Sequence, residues 1–137
     1  MSLFLIPLFE EIGWRGLALP RLVARFGVLP ASLILGLLWA IWHYPVVLIS
    51  GMTPLVLALA IPFFVAGSVV FSWLYHRTTA GLLLVIFAHA GAHLSNTHLA
   101  LPANVTPFVI HTIAFCVVAV GLVVVDRKTW RPEGRGS

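Results

Sequence analysis

The chain has 137 residues, of which 61% are hydrophobic and 9% charged, and its mean hydropathy is +1.06. Soluble domains run at roughly 45–50% apolar and 25% charged residues, so this composition excludes a water-soluble globule and implies a single membrane domain. The net charge of +4 comes from a few basic residues set between apolar runs, which fits orientation across a bilayer and excludes a nucleic-acid partner.

Residues 1–9 are apolar but carry no basic leader region and no small-residue cleavage site, so they do not read as a signal peptide. A spanning helix needs about 20 residues. This segment therefore reads as the last turns of a partial N-terminal helix or as a short re-entrant segment. Four long apolar stretches follow at 31–49, 54–75, 80–95 and 105–125, the third being the one most interrupted by polar residues. Turn chemistry separates them: Leu29-Pro30, the run from Ser50 to Pro54, His76 to Thr79, and Asn96 to Asn104 with Pro102 inside. The expected fold is all-α, a polytopic transmembrane helical bundle of four full spans plus a partial N-terminal helix, with short breaks making neighbours antiparallel. Residues 1–125 form the membrane domain. Residues 126–137 are expected to be a disordered basic tail beside anionic headgroups.

The charges support this topology. Arg15, Arg21 and Arg25 precede the first full span, Arg77 lies between the second and third, and Arg127, Lys128, Arg131 and Arg135 follow the fourth, while the loops at 50–53 and 97–104 carry none. Basic loops collect on the cytoplasmic side. Residues 14–30 and the C-terminus are accordingly expected there, in an integral multi-pass protein.

Charged groups in apolar segments cost roughly 2.5–3.5 kcal/mol each at the bilayer centre on insertion scales, and those retained usually face a bundle interior and serve function. The run Phe9-Glu10-Glu11-Ile12-Gly13-Trp14-Arg15-Gly16 stands out on that ground. Glu11 and Arg15 have the i, i+4 spacing with the acid first, so they can pair. Glu10 is rotated about 100° from Glu11 on a helix and stays available as a base. His43 follows two tryptophans inside the first full span, just before Pro45. His89 and His93 share one helix face, with Asn96 close to the same face and small residues between. His76, His98, His111 and the single cysteine, Cys116, read as structural.

A carboxylate and a histidine converging on one water make a general-base pair, with Glu10 taking the proton and His43 orienting the water. His89 and His93 can donate N–H groups to the oxyanion that forms when water attacks a peptide carbonyl. There is no Gly-x-Ser-x-Gly elbow, and Cys116 lacks an activating neighbour, so a covalent intermediate is not expected. Three histidines and a glutamate can also hold tetrahedral zinc, with Glu10, His43 and His89 as candidate ligands, although no H-E-x-x-H is present. Spacing alone leaves metal-activated and carboxylate-activated water both open.

In this order the motifs resemble those of the CPBP (CAAX protease and bacteriocin-processing, or Abi) intramembrane proteases, which are related to the Rce1-type prenyl endopeptidases. That family's pattern is E-E-x-x-x-R, F-x-x-x-H and H-x-x-x-N on separate helices. Glu10, Glu11 and Arg15 match the first motif. Trp39 to His43 matches the second with Trp for Phe, and His89 to His93 the third with His for Asn. The resemblance covers roughly residues 1–100. It implies an intramembrane endopeptidase in a bacterial or archaeal cell membrane, acting on a peptide or membrane-anchored protein such as a prenylated tail or a bacteriocin-like leader. It further implies that Glu10 and His43 activate water, that Glu11 and Arg15 support the site, and that His89 with position 93 forms the oxyanion hole, with Asn96 in support. The family is labelled metalloprotease, and a metal-free glutamate mechanism is also proposed for it; the latter is the reading preferred here, with a divalent metal such as zinc as the alternative cofactor. Family members usually carry helices before the first motif, which this chain is expected to lack. The competing readings are a catalytically inactive immunity or scaffold protein of the same architecture and a His/Glu-based metal or proton carrier.

Overall fold

The computed structural model describes the backbone of residues 2–96 and 105–130, with side chains over 4–93 and 105–130. Among the described residues all regular structure is helical. The order is α1 (Ser2–Glu11), a π-helical segment (Ile12–Ala18), α2 (Leu19–Phe26), α3 (Val28–Ile49), α4 (Pro54–Arg77), α5 (Gly81–Asn96), α6 (Thr106–Val125) and a short α7 (Arg127–Trp130). The helical membrane bundle expected from composition is the fold observed.

Among the described residues three helices, α3, α4 and α6, are long and apolar enough to cross a membrane. Among the described residues the third apolar stretch folds as the 16-residue α5, so three candidate full spans and a shorter helix are described where four full spans are expected. Two contacts fix where α5 lies. Its start is pinned where Gly81 meets the Tyr75 backbone so closely that a Cβ would collide, and its second half turns His89 inward, where it is buried.

The N-terminal helix also differs from expectation. It does not stop near Phe9 but continues helically to Phe26, carrying both glutamates. Pro20 lies where the π segment passes into α2, in the first turn of that helix. The run ends at Gly27, whose φ of +81° only glycine adopts without strain.

α3 and α4 approach through small residues. A Cβ at Gly36 would lie 2.7 Å from the Val65 Cα, and the Ser68 hydroxyl donates to the Ser32 carbonyl at 2.9 Å. Backbones in such contact gain dispersion energy that lipid cannot supply, the main source of helix association in a bilayer. Outward residues such as Leu37, Ile41, Val117 and Val120 stay exposed, as lipid-facing side chains should.

The C-terminal end is more ordered than a free tail. Asp126 accepts from Trp73 Nε1 at 2.9 Å and from the Thr129 hydroxyl at 3.0 Å, and pairs with Arg77 Nε at 3.0 Å. Trp130 is buried against Ala66, Val69 and Ala119 and donates its indole N–H to the Leu122 carbonyl at 3.0 Å. A large apolar ring so close to the last span is better buried than solvated, and it folds 127–130 back onto the bundle. The remaining tail, 131–137, lies outside the described residues.

The Trp73 indole N–H, followed by Thr129 and Arg77, holds the Asp126 carboxyl below its usual range. A depressed carboxylate contributes stability that is present above its unfolded pKa and lost as pH falls through the folded one. Thermal unfolding in detergent should therefore show wild type losing stability on acidification through this range. Asp126→Asn should be less stable at neutral pH and lack that acid limb.

Candidate active site

The site is assembled from four helical stretches. The α1/π junction supplies Glu10, Glu11 and Arg15, α3 supplies Trp39 and His43, α4 lends aromatic walls, and α5 brings His89 and His93. The π-helical character of Ile12–Ala18 appears in the Leu19 N–H bonding to the Trp14 carbonyl, five residues back. Such π segments are wider than an α-turn and recur at functional sites.

Glu11 and Arg15 are fully buried and paired, Nη1 to Oε1, at 2.9 Å. The same Oε1 accepts from His89 Nδ1–H at 2.7 Å. The Arg15 guanidinium lies 4.7 Å from the Trp39 ring centroid and 5.3 Å from that of Phe71. Cation–π contacts of this kind are worth about 2 kcal/mol or more when desolvated. They matter because Arg15 Nε and Nη2 and Glu11 Oε2 are buried without hydrogen-bond partners among the described residues.

Glu10 is placed differently. Its Oε2 accepts from Trp39 Nε1–H at 3.0 Å, and its Oε1 lies 3.9 Å from His43 Nε2. His43 Nδ1 is 3.0 Å from the Trp39 carbonyl, which can only accept, so Nδ1 carries the proton and Nε2 presents a lone pair toward Glu10. Trp39 thus orients both groups. The His43 ring is further held by stacking on Phe64, with centroids 4.5 Å apart. On α5, His93 Nε2 lies 3.1 Å from His89 Nε2; since His89 Nδ1–H is spent on Glu11, His93 is the donor in the neutral pair.

These groups border a cavity of about 140 Å³ walled by Trp39, Phe64, Phe71 and Phe115, with Gly67 leaving room beside Trp39. His43, His89 and His93 line it. A larger, shallow hollow of about 460 Å³ lies at the α4–α5 turn between Tyr75 and Leu83, and it has no carboxylate in its lining.

The residues singled out in the sequence therefore converge on one region, but as two linked sets. Glu10 faces His43, whereas His89 bonds Glu11 and not Glu10. The Asn96 side chain lies outside the described residues. Sequence reasoning passed over the role of Trp39 as the donor that holds Glu10; the signal was an indole N–H one turn before His43. The zinc ligand set is not formed: among the described residues no three His, Cys, Asp or Glu side chains are grouped as ligands of one ion. His111, by contrast, donates Nδ1–H to the Pro107 carbonyl at 2.9 Å within its own helix, a structural role.

Residues 1–95 match the family model described as type II CAAX prenyl endopeptidase Rce1-like. A relative named CAAX prenyl protease 2, from Methanococcus maripaludis, is 25% identical over 134 aligned positions, covering 92% of this chain and 49% of the relative. The chain thus spans about half the length of that curated relative. No solved structure matches.

Breaking a buried ion pair from one side strands a charge and costs about 3–5 kcal/mol. Arg15→Met should destabilise the fold by about 3–5 kcal/mol, read as a lowered unfolding temperature in detergent, and adding Glu11→Gln should recover part of the loss. An unchanged melting curve for the single variant would show that the pair is not desolvated as described.

Proposed function

Since this chain belongs to the type II CAAX prenyl endopeptidase Rce1-like family, we propose that it is an intramembrane endopeptidase that hydrolyses a peptide bond with water activated by Glu10 and His43. The observation that carries this reading is the pair of acceptors, Glu10 Oε1 and His43 Nε2, facing each other at 3.9 Å. One water can donate to both, leaving its lone pairs free to attack. A general base reaching its proton through such a hydrogen bond contributes roughly 10²–10⁴-fold.

In this mechanism water attacks the carbonyl carbon while Glu10 takes a proton and later delivers it to the leaving amine, so the proton balance closes on one side chain. His43, fixed by the Trp39 carbonyl, aims the water. Negative charge develops on the carbonyl oxygen. His93 can meet it by redirecting the Nε2–H that otherwise bonds His89, and His89 is kept in register by Glu11. Glu11 and Arg15 act as positioning residues. No step is routed through a metal.

The substrate this reading assigns is a CAAX-type protein terminus whose prenyl group holds it in the bilayer, the family's activity by name. The alternating basic loops support a cytoplasmic C-terminus and a cytoplasmic approach of such a tail. The aromatic cavity lined by His43 suits an apolar substrate segment.

Cleavage of a prenylated CAAX peptide in detergent tests this. Glu10→Gln and His43→Ala should each lower the rate about 10²–10⁴-fold with unfolding temperatures unchanged. Wild type should keep its rate in chelator. Full cleavage by Glu10→Gln would remove the hydrolase reading and favour a non-catalytic scaffold of the same architecture.

A further inference from the structure

The 140 Å³ cavity has a size and a set of walls that limit what can enter it. A dry cavity of about 150 Å³ lined by apolar side chains binds benzene, so this one holds a single side chain of leucine or phenylalanine size. A prenyl chain, several isoprene units long, does not fit. The walls are also stiff. Trp39 is held by its bond to Glu10 and stands edge-on to Phe64, with ring centroids 5.1 Å apart. Phe115 stands edge-on to both Phe63 and Phe71, at 5.5 and 6.4 Å. Fixed rings discriminate by volume, because a larger guest would force them off their rotamers.

Gly67 sits in the wall of this cavity, buried in the middle of α4. Glycine in a helix interior is disfavoured relative to alanine, so its use there asks for a reason. Backbone conformation is not one, since the positive-φ glycines among the described residues are Gly27 and Gly51. Close packing of helices is not one either. A Cβ added at Gly36 would lie 2.7 Å from the Val65 Cα, whereas one added at Gly67 would meet the Trp39 ring at 3.7 Å, an ordinary contact. What a methyl at position 67 would take up is cavity space beside that ring. Another wall, Phe115, belongs to α6 and lies beyond the family-matched residues 1–95.

We propose that this cavity is a subsite for one apolar side chain of the peptide, next to the scissile bond, and that Gly67 and Phe115 set the largest side chain it admits. Such a subsite presupposes the peptidase reading and deepens it by naming the part of the substrate that the cavity takes. His43, His89 and His93 line the same space, so a side chain seated there brings its neighbouring carbonyl to the groups that act on it. The prenyl chain stays outside, in lipid, where apolar residues of α3 and α6 such as Ile41 and Val117 are exposed. Anchoring in the membrane and selection by side chain are then separate tasks of one substrate.

The full chain in detergent is given prenylated CAAX-type peptides whose aliphatic positions are varied one at a time through alanine, valine, leucine, phenylalanine and tryptophan, and kcat/KM is ranked. At one position wild type should cleave the leucine or phenylalanine peptide best and reject tryptophan. Gly67→Ala should lower the kcat/KM ratio of phenylalanine to alanine about 10-fold or more, and Phe115→Leu should shift the ranking toward tryptophan. The preference between farnesyl and geranylgeranyl peptides should be the same in wild type and both variants. An unaltered side-chain ranking in Gly67→Ala overturns the subsite and leaves the peptidase reading in place. A changed prenyl preference with an unaltered ranking makes the prenyl chain the occupant and also overturns it. Absence of cleavage by wild type removes the peptidase reading, and the subsite falls with it. If Gly67→Ala fails to fold, Phe115→Leu decides alone, an unaltered ranking again overturning the subsite.

Discussion

The ion pair between Glu11 and Arg15 is the constraint around which the rest is built. Neither side chain touches solvent, and a bilayer offers no water to replace what they lose. A desolvated pair of this kind is tolerated only where the protein supplies partners from several directions. Those partners come from three other helices: Trp39 on α3, Phe71 on α4 and His89 on α5. The charge that is hardest to bury is therefore the one that draws these elements together.

This arrangement also separates two adjacent carboxylates into different tasks. Glu11 is consumed by Arg15 and His89, whereas among the described residues Glu10, one residue earlier, meets a tryptophan N–H and the Nε2 edge of His43. Because Trp39 donates from its ring to Glu10 and accepts through its carbonyl from His43, one residue registers both sides of the gap. Catalytic geometry has to hold within about 0.5 Å, which calls for this kind of support on rigid helices and not on loops.

The polar site lies within the family-matched residues, yet its surroundings do not end there. Phe115, on α6, closes the cavity, and α6 in turn is fastened at its far end by Asp126 and Trp130. α6 is otherwise mostly lipid-facing, so the clamp to Trp73 and Arg77 is a main polar tie between it and α4.

What the amino-acid sequence determined by itself was the membrane class, the helical breaks and the identity of the chemical groups. These follow from apolar run lengths, from turn residues and from charges that lipid would reject, all of which are local or additive. The pairing of Glu11 with Arg15 was legible too, since it rests on an i, i+4 spacing within one helix. Other features were decided only in three dimensions: the continuation of the first helix through a π segment to Phe26, the close approach of Gly81 to the Tyr75 backbone, and the return of Trp130. The same holds for the choice of Glu11 over Glu10 as the partner of His89 and for the anchoring of Glu10 by Trp39. Each depends on how far apart residues of distant segments come to rest, and a distance between helices is set by close packing at places such as Gly36 and Gly81, which no single stretch of sequence encodes.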